Sequence, residues 1–408
     1  MGSMIELALR PWAHRLRRRV NLPVRLTWGD HGHSGLSLGD FSEPTVRMRV
    51  RDAAALPLLM QPTLETLGQA YVEGLIDVEG ELRDILAVAH GLADAASVGE
   101  QAVARPRRRT DHSRALDSDA IRYHYDVSNE FYAQWLDPAM VYSCAYFERG
   151  DESLALAQQK KIDHILTKVR LQPGQRLLDI GCGWGALVIR AAQQLGARCV
   201  GITLSENQYA LARERVKVAG LEDRVEIRLQ DYRDVPDGPF DRVTSVGMFE
   251  HVGLNHLAAY FGQVRALLAP DGWVLNHGIT SSDAHDGEAS KGAGGFVHRY
   301  VFPHGELPHI GTVMRTMQEG GLEVFDAENL RRHYARTVAL WSEAFEARRD
   351  RIRALVDDKR WRIWRVYLAG CAWAFEQDEI ALFQVLCRPA RRSAGEMPWS
   401  RRWMYARD

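Results

Sequence analysis

The stretch that decides the fold of this chain is Leu177-Leu178-Asp179-Ile180-Gly181-Cys182-Gly183-Trp184-Gly185. Its pattern predicts a buried apolar strand that carries an acidic residue near its end and continues into a glycine-rich turn. Glycines allow backbone N–H groups to approach a bound nucleotide without collisions from a Cβ atom. The stretch therefore predicts a nucleotide-binding turn at the carboxyl end of a strand.

The position of Asp179 separates two kinds of nucleotide ligand. A dinucleotide site needs glycines that admit a pyrophosphate, with an acid for the ribose roughly 20 residues later. Here Asp179 precedes the turn, so a carboxylate faces the place where a pyrophosphate would lie. S-adenosylmethionine, which carries a sulfonium and an α-ammonium group, suits this arrangement better. An NAD-dependent oxidoreductase is disfavoured, although Gly181-x-Gly183-x-x-Ala186 nominally satisfies the dinucleotide fingerprint.

Strands that alternate with helices surround this stretch. Apolar residues at helical spacing predict a helix around residues 162–169, before the first strand. The predicted strands are Arg176–Ile180, Arg198–Thr203, Val225–Leu229, Phe240–Gly247 and Trp273–Ile279. Helices are predicted from about Ala186, from Ser205 and over about 257–268, with Gly220 as a C-terminal stop. This alternation predicts an α/β fold with a doubly wound, mostly parallel sheet.

The remaining segments suggest four parts. Residues 4–100 are predicted to form a small α+β domain, with strands at Arg25–Trp28 and Val46–Val50 and helices at about 64–75 and 82–92. Residues 101–118 lack apolar periodicity and are interpreted as a linker. The second domain is predicted over 119–393, with a helical, aromatic-rich region at about 341–386. Residues 394–408 form a tail.

Composition limits the classes of function. The 408 residues are 46% hydrophobic and 26% charged, and the formal net charge of −1 gives no overall attraction to nucleic acid. The five cysteines form no C-x-x-C pair, which disfavours a disulfide framework or a zinc site and favours a reducing compartment. No apolar run approaches the roughly 20 residues of a membrane span, and the N-terminus lacks the apolar core of a signal peptide.

Two basic runs suggest where the protein works. Arginines crowd the N-terminus, between Arg10 and Arg19, and again between Arg105 and Arg114. One interpretation is a solvated helix face and a flexible linker. The other is attraction to an anionic membrane surface, worth roughly 1 kcal/mol for each cation near it. The chain is therefore predicted to be cytoplasmic, with any membrane contact peripheral and at the inner face.

Several blocks together resemble the cyclopropane fatty acid synthase family, which includes mycolic acid members. The match covers about 119–390, and the N-terminal domain resembles, less sharply, the accessory lipid-handling domain of the bacterial phospholipid enzymes. The glycine motif alone is weak, whereas Tyr142-Ser143-Cys144 combined with Phe249-Glu250-His251 is specific. The matching blocks are Tyr125–Asn129, Tyr142–Phe147, Leu178–Gly185, Gly201–Ser205, Gln230–Asp234, Gly247–Gly253, Tyr300–Pro303 and Arg332–Thr337.

The resemblance implies a Rossmann-like class I methyltransferase fold and a set of cofactor contacts. Tyr142, Ser143 and the Gly181–Gly183 turn are expected to hold the methionine part of S-adenosylmethionine, beside Asp179. Thr203, Leu204 and Gln208 are expected to hold the ribose, and Gln230 and Asp231 are expected beside the adenine amino group. A carboxylate or an amide oxygen can accept a hydrogen bond from such an amine.

The resemblance also implies a reaction. A methylene group would pass from S-adenosylmethionine to the cis double bond of an unsaturated phospholipid acyl chain at the membrane surface. The path runs through a carbocation, which aromatic faces can shelter, and bound bicarbonate is the base that removes a proton. The residues that match the anion site are Cys144, Glu250, His277, Tyr334 and the backbone of Ile279. A homodimer is implied by similarity to the bacterial enzymes.

Alternatives remain open at this point. Cys144, His277 or Tyr334 taken alone fits a buried structural role. The helical face of Trp361, Trp364, Tyr367, Leu368 and Cys371 fits core packing or an acyl tunnel. A related C-methyltransferase would make methyl-branched or methylene chains, and a non-catalytic lipid-binding protein would turn over no cofactor.

One departure from the family pattern bears on the product. The synthases usually have His-Thr-Ile where this chain has His277-Gly278-Ile279. Glycine widens the backbone options next to the anion site. It could therefore reshape the acyl tunnel or alter the fate of the cation.

Overall fold

A computed structural model describes residues 2–29, 34–97, 127–284, 293–303, 305–391 and 398–405. The predicted linker at 101–118, the basic run between Arg105 and Arg114, and the motif residues Tyr125 and Asp126 lie outside these ranges. The strands, in chain order, are β1 (Val24–Trp28), β2 (Ser34–Ser37), β3 (Val46–Val50), β4 (Ile76–Glu79), β5 (Arg176–Ile180), β6 (Arg198–Thr203), β7 (Val225–Leu229), β8 (Phe240–Val246), β9 (Leu268–Ser281), β10 (Leu322–Asn329) and β11 (Ile380–Pro389).

The helices are distributed over the whole described chain. Short 3-10 turns cover Tyr232–Asp234, Phe249–His251 and Leu254–His256. The α-helices are α1 (Gly2–Arg17), α2 (Ala55–Met60), α3 (Leu64–Val72), α4 (Leu82–Ser97), α5 (Asn129–Ala133), α6 (Leu154–Lys168), α7 (Ala186–Leu195), α8 (Glu206–Val218), α9 (Leu257–Leu267), α10 (Ala293–Tyr300), α11 (Ile310–Glu319), α12 (Arg331–Ala347), α13 (Arg349–Leu355), α14 (Asp358–Glu376) and α15 (Arg402–Tyr405).

The chain forms two compact units. Unit 1 comprises Met1–Arg108, Glu288–Val301 and Arg349–Trp373. Unit 2 comprises Arg109–Gly287, Phe302–Arg348 and Ala374–Asp408. Two segments of the stretch predicted as a single second domain thus belong to unit 1.

Unit 1 contains a four-stranded sheet in the order β2-β1-β3-β4. Strands β1 and β3 run parallel, and their alternating buried and exposed residues leave one face for the core. Helix α3 begins with a capping box in which Thr63 and Thr66 satisfy each other's backbone amides. It also packs closely on α10, because a Cβ atom at Gly68 would lie only 2.7 Å from the ring of Phe296.

Unit 2 contains a seven-stranded sheet in the order β10-β11-β9-β8-β5-β6-β7. Strands β5 to β9 pair in parallel. Buried apolar side chains of β5, β6 and β8 belong to the two large apolar clusters of this unit. Strand β5 lies in the middle, where Asp179 is opposite Gly201 on β6 and Thr244 on β8. This arrangement confirms the predicted α/β fold with a doubly wound, mostly parallel sheet.

The prediction of a helical region over about 341–386 is wrong at its end. Helix α14 stops at Glu376, and Ile380–Pro389 forms β11, which pairs antiparallel with both β9 and β10. Nearly every residue of β11 is buried, so the segment shows no alternation of apolar and polar residues. A continuous apolar run of this kind does not distinguish a strand from a helix by periodicity.

Candidate active site

A cavity of about 410 Å³ lies in unit 2, at the carboxyl ends of β5, β6 and β8. This is the edge of an open α/β sheet where ligands usually bind. Every residue predicted to contact the cofactor lines this cavity. They are Tyr142, Ser143, Asp179, Gly181, Gly183, Thr203, Leu204, Gln208, Gln230 and Asp231.

The glycine turn has the backbone that the motif predicts. Gly181 adopts a φ of +82°, and its amide donates to the carbonyl of Ile202 at 3.0 Å. A side chain at Gly181 would be strained by this φ, and its Cβ atom would lie 3.2 Å from Cβ of Met248. The turn then leads into α7, so that backbone N–H groups border the cavity.

Asp179 is a buried carboxylate at the end of β5. Thr244 donates a hydrogen bond to its Oδ1 at 2.7 Å. Burial raises the pKa of Asp179 to about 6, against the opposing effects of this hydrogen bond and of the charge on Lys161. A cationic ligand group would favour the ionised form of Asp179, which suits an α-ammonium group.

Lys161 also lines the cavity, although it was not among the residues that the sequence predicted there. This residue of α6 is buried, and its Nζ donates to Oγ of Ser143 at 2.7 Å. Burial lowers the pKa of Lys161 to about 8, and the nearby Cys144, Asp137 and Asp179 oppose the shift. A signal was present in the sequence, because Lys161 lies four residues before Ile165 and therefore on the apolar side of the predicted helix.

The ribose and adenine candidates are held by local hydrogen bonds. Oγ1 of Thr203 donates to Oε1 of Gln208 at 2.8 Å. The carboxylate of Asp231 accepts from the backbone and the guanidinium of Arg233, at 2.6–2.9 Å. The Gln230 amide donates to the carbonyl of Asp234 at 2.8 Å, which leaves its oxygen as an acceptor.

The candidate catalytic residue Glu250 is buried in the 3-10 turn after β8. Its Oε1 accepts from the amide of Ile279 at 2.7 Å, so this amide, which was expected to contact the anion, donates to Glu250 in the structure. Its Oε2 is buried and has no hydrogen-bond partner among the described residues. Burial raises the pKa of Glu250 to about 7, although backbone hydrogen bonds oppose the shift.

His277 is fully buried on β9, two residues before Ile279. Its Nδ1 lies 3.2 Å from Nε2 of Gln384, and its Nε2 is buried without a hydrogen-bond partner in the described ranges. Burial, followed by the charges of Lys161 and Lys168, lowers the pKa of His277 well below its usual value. The imidazole is therefore neutral.

Cys144 and Tyr334 meet at the backbone of Leu330. The thiol of Cys144 lies 3.8 Å from the carbonyl of Leu330, which also accepts from the amide of Tyr334 at 3.0 Å. The amide of Leu330 donates to the carbonyl of Leu382 at 2.8 Å, and Leu382 is opposite Ile279 in the sheet. Burial raises the pKa of Cys144 above its usual range, so the thiol is protonated.

The structure thus forms two neighbouring groups, the residues that line the cofactor cavity and the five candidate catalytic residues. Glu250 is hydrogen-bonded to Ile279, His277 lies two residues earlier on the same strand, and Leu330 connects Cys144 and Tyr334 to this part of the sheet. None of these five residues is among those that line the cofactor cavity. The groups adjoin all the same, because Ser143 precedes Cys144 and the amide of Gly247, a cavity residue, donates to the carbonyl of His277 at 2.7 Å.

Gly278 has a packing role that the sequence did not suggest. A Cβ atom at this position would lie 1.8 Å from Cε1 and 2.3 Å from Cδ1 of Phe249. Gly278 lies within β9 and is not one of the glycines with positive φ. The ring of Phe249, next to Glu250, therefore occupies the space of a side chain at 278, and backbone freedom is not the reason for the glycine.

Aromatic rings connect the two groups. The ring of Tyr142, which lines the cavity, lies 5.2 Å from that of Trp341, and Trp341 lies 6.0 Å from Tyr334. Tyr334 in turn packs at 4.5 Å from Phe375. Such faces attract cations and expose no strong nucleophile.

Other segments that the sequence singled out have ordinary environments. Trp361, Trp364 and Leu368 of α14 are buried in unit 1. Their burial fits both core packing and an acyl tunnel. In the tail, Trp403 packs at 6.2 Å from Trp273, whereas Trp399 is fully exposed. Within the described ranges, no helix is long and apolar enough to cross a bilayer.

Comparisons with known proteins agree with this geometry. Residues 112–385 match the protein family described as Mycolic acid cyclopropane synthetase, and residues 12–99 match one described as Domain of unknown function (DUF7884). Over 388 residues the chain is 45% identical to the "Probable fatty acid methyltransferase" of Pseudomonas putida, covering 95% of this chain and 97% of that protein.

Two further proteins extend the comparison. The Tuberculostearic acid methyltransferase UfaA1 of Mycobacterium tuberculosis is 38% identical over 389 residues, covering 91% of this chain and 90% of that protein. The crystal structure of mycolic acid cyclopropane synthase CmaA1 complexed with SAH and CTAB matches with a TM-score of 0.62 at 36% identity. It covers 66% of this chain and 97% of that chain, and it confirms the class I methyltransferase fold.

Proposed function

The chain belongs to the family of mycolic acid cyclopropane synthetases, and from this premise we propose that it converts the cis double bond of an unsaturated phospholipid acyl chain into a cyclopropane ring. As a member of this family it is an S-adenosylmethionine-dependent methyltransferase. The observation that carries the proposal is the cofactor cavity with Glu250 and His277 buried at its side, each with a polar atom that no described residue satisfies.

The cavity residues suit the charges of S-adenosylmethionine. Asp179 offers a carboxylate to the α-ammonium group, and Lys161 with Ser143 offers donors to the α-carboxylate. The glycine turn admits the ligand, and Thr203, Gln208 and Asp231 provide polar groups on the side of β6 and β7. When bound, the cofactor supplies an electrophilic methyl group.

The second group of residues suits a bound bicarbonate. Its role there would be to accept the proton that ring closure releases. Nε2 of the neutral His277 can donate one hydrogen bond, and Oε2 of Glu250 can share a proton, because the raised pKa of Glu250 makes its acid form accessible near neutral pH. The neutral thiol of Cys144 and the ring of Tyr334 complete the set without adding a strong nucleophile that a cation would alkylate.

Membrane association and a homodimer are further parts of the proposal. Helix α1 buries Leu9, Trp12 and Leu16 and exposes Arg10 and Arg15. An exposed basic helix face would attract an anionic surface. We propose a cytoplasmic enzyme that binds the inner face of the membrane peripherally.

A second candidate is a C-methyltransferase that makes methyl-branched or methylene chains. Two observations favour it. Two similar proteins that match over nearly the whole chain are named probable fatty acid methyltransferase and tuberculostearic acid methyltransferase. In addition, Phe249 occupies the space beside Glu250 that a side chain at 278 would take. The same double bond and cofactor yield a methylene chain when the cation undergoes a hydride shift and then loses a proton, whereas a saturated methyl branch also needs a hydride donor. The product therefore distinguishes the two candidates.

The product of one incubation decides between the candidates. With methyl-labelled S-adenosylmethionine and vesicles of unsaturated phospholipid, we expect fatty chains heavier by one CH₂ and the upfield proton resonances of a cyclopropane. Vinylidene resonances, or methyl-branch resonances once a nicotinamide hydride donor is added, would instead establish the second candidate. If no chain gains mass although vesicles are bound, the protein is a lipid-binding protein and the proposal fails.

Cys144→Ser is expected to leave cofactor affinity unchanged and to lower turnover. Cys144 is buried outside the cavity lining, and its sulfur lies by the carbonyls of Ala145 and Leu330. Calorimetric titration with S-adenosylhomocysteine and a turnover assay measure the two effects. The matched control is Cys182→Ser, at a residue that lines the cavity, where affinity should change. Equal losses of affinity and turnover for Cys144→Ser would place Cys144 in the cofactor site.

A further inference from the structure

We infer that Gln384, oriented by Lys168, is a positioning residue that holds His277 as the tautomer with its proton on Nε2. This inference rests on the proposed function, because it explains how His277 presents a donor to the proposed anion. The contacts themselves are properties of the protein alone, and they lie entirely within unit 2.

Gln384 lies between a lysine and the histidine. It is fully buried on β11, directly opposite His277 on β9. Its Oε1 accepts from Nζ of Lys168 at 3.3 Å, and its Nε2 lies 3.2 Å from Nδ1 of His277. Both ends of the amide are therefore engaged.

The lysine determines which way the amide points. An ammonium group has donors only, so it must face the amide oxygen of Gln384. Lys168 is itself fully buried and is held by Glu328, whose Oε2 accepts from its Nζ at 2.8 Å, with Asp326 at 3.3 Å. His164 contacts the same oxygen of Glu328 at 2.7 Å. This fixed cation leaves the NH₂ group of Gln384 directed at His277.

The tautomer of His277 follows from this arrangement. An NH₂ group needs an acceptor, so Nδ1 of His277 is unprotonated. A neutral imidazole then carries its proton on Nε2. Nε2 is the buried atom that no described residue satisfies, on the same strand as Ile279, whose amide binds Glu250. The polar contacts from Glu328 to His277 thus place a donor beside the candidate anion site.

The test uses the full chain labelled with ¹⁵N-histidine. The two ring nitrogens of a neutral histidine resonate far apart, and the protonated one shows a directly bonded proton. His277→Asn identifies the resonances of His277. We expect the proton on Nε2 in the parent protein. In Gln384→Glu the new carboxylate accepts in place of the NH₂ group, so Nδ1 becomes protonated.

Two variants keep the outcome interpretable. Gln384→Met preserves volume and removes both polar contacts, so we expect the single tautomer to give way to a mixture. Gln158→Met is the matched control, since Gln158 is an equally buried glutamine of unit 2 whose amide donates to Ser143 and Val141. This control should leave the His277 tautomer unchanged. A parent protein with the proton on Nδ1, or a tautomer that Gln384→Glu and Gln384→Met do not change, would overturn the inference.

Bicarbonate titration separates this inference from the proposed function. We expect the Nε2 resonance of the parent to shift with bicarbonate and that of Gln384→Glu to stay fixed. We also expect turnover of this variant to fall about 10- to 100-fold, the loss that follows when the partner that orients a metal-bound histidine is removed. If the tautomer is as inferred and bicarbonate has no effect, the proposed anion site is wrong and the positioning role of Gln384 stands.

Discussion

Glu250→Gln is expected to lower turnover by about 10²- to 10⁴-fold, the usual contribution of a positioned proton-transfer group, and to leave affinity for S-adenosylhomocysteine unchanged. Glutamine preserves the size of Glu250 and can still accept from the amide of Ile279. It cannot share a proton with an anion, and Glu250 does not line the cofactor cavity. Single-turnover kinetics and calorimetric titration measure the two effects.

The same variant is expected to change how stability depends on pH. Burial raises the pKa of Glu250 from 4.5 to about 7, so the folded protein binds its proton more tightly than the unfolded chain does. The associated stability is fully present below pH 4.5 and is lost as the pH rises through 7. Between pH 5 and 8 this loss amounts to about 2–3 kcal/mol. Glu250→Gln should therefore lose less stability than the parent over this range.

Urea unfolding at pH 5 and at pH 8 measures the difference. Asp179, whose pKa is also raised by burial, contributes to the slope in both proteins and cancels in the comparison. Glu222→Gln removes an exposed carboxylate and should follow the parent. Equal pH dependence of the parent and Glu250→Gln, together with unimpaired turnover, would remove Glu250 from the proposed chemistry.

The sequence was sufficient for the parts of the site that local patterns encode. Strands β5, β6 and β7 have the predicted bounds. Because the carboxyl ends of parallel strands meet at one edge of a sheet, residues that follow these strands were expected to converge, and they line one cavity. The Gly181–Gly183 turn was readable for the same reason, since a positive φ leaves glycine as its signature.

Other features depend on partners that lie far away in the sequence. Gln384 acquires its meaning from Lys168, 216 residues earlier, and from His277, 107 residues earlier. Gly278 is explained only by the ring of Phe249. Similarly, no local pattern indicated that α10 and α13 belong to the same compact unit as the first 108 residues. Periodicity predicts which face is buried, but it does not identify what covers that face.

Gly278→Ala is expected to destabilise the protein by about 1–3 kcal/mol or more, the typical cost of overpacking a core. The added methyl group would overlap the ring of Phe249, which is 1% exposed and is part of an apolar cluster of unit 2. The ring cannot swing into solvent, so either the ring or β9 must move. Gly262→Ala is the matched control, because a Cβ atom there meets nothing within 4 Å, and in the helix α9 it should be neutral or stabilising.

A double-mutant cycle with Phe249→Leu isolates the contact between these two positions. Leucine removes part of the ring that overlaps the new methyl group, so Gly278→Ala should cost less in that background, with a coupling of about 0.5–3 kcal/mol. Urea unfolding of the four proteins gives the free energies of unfolding, and additive costs would show that Phe249 does not set the requirement for glycine.

The lipid product of the double variant tests whether this packing also affects the reaction. Since Phe249 adjoins Glu250, a changed ratio of ring to branched chain would show that this packing directs the cation.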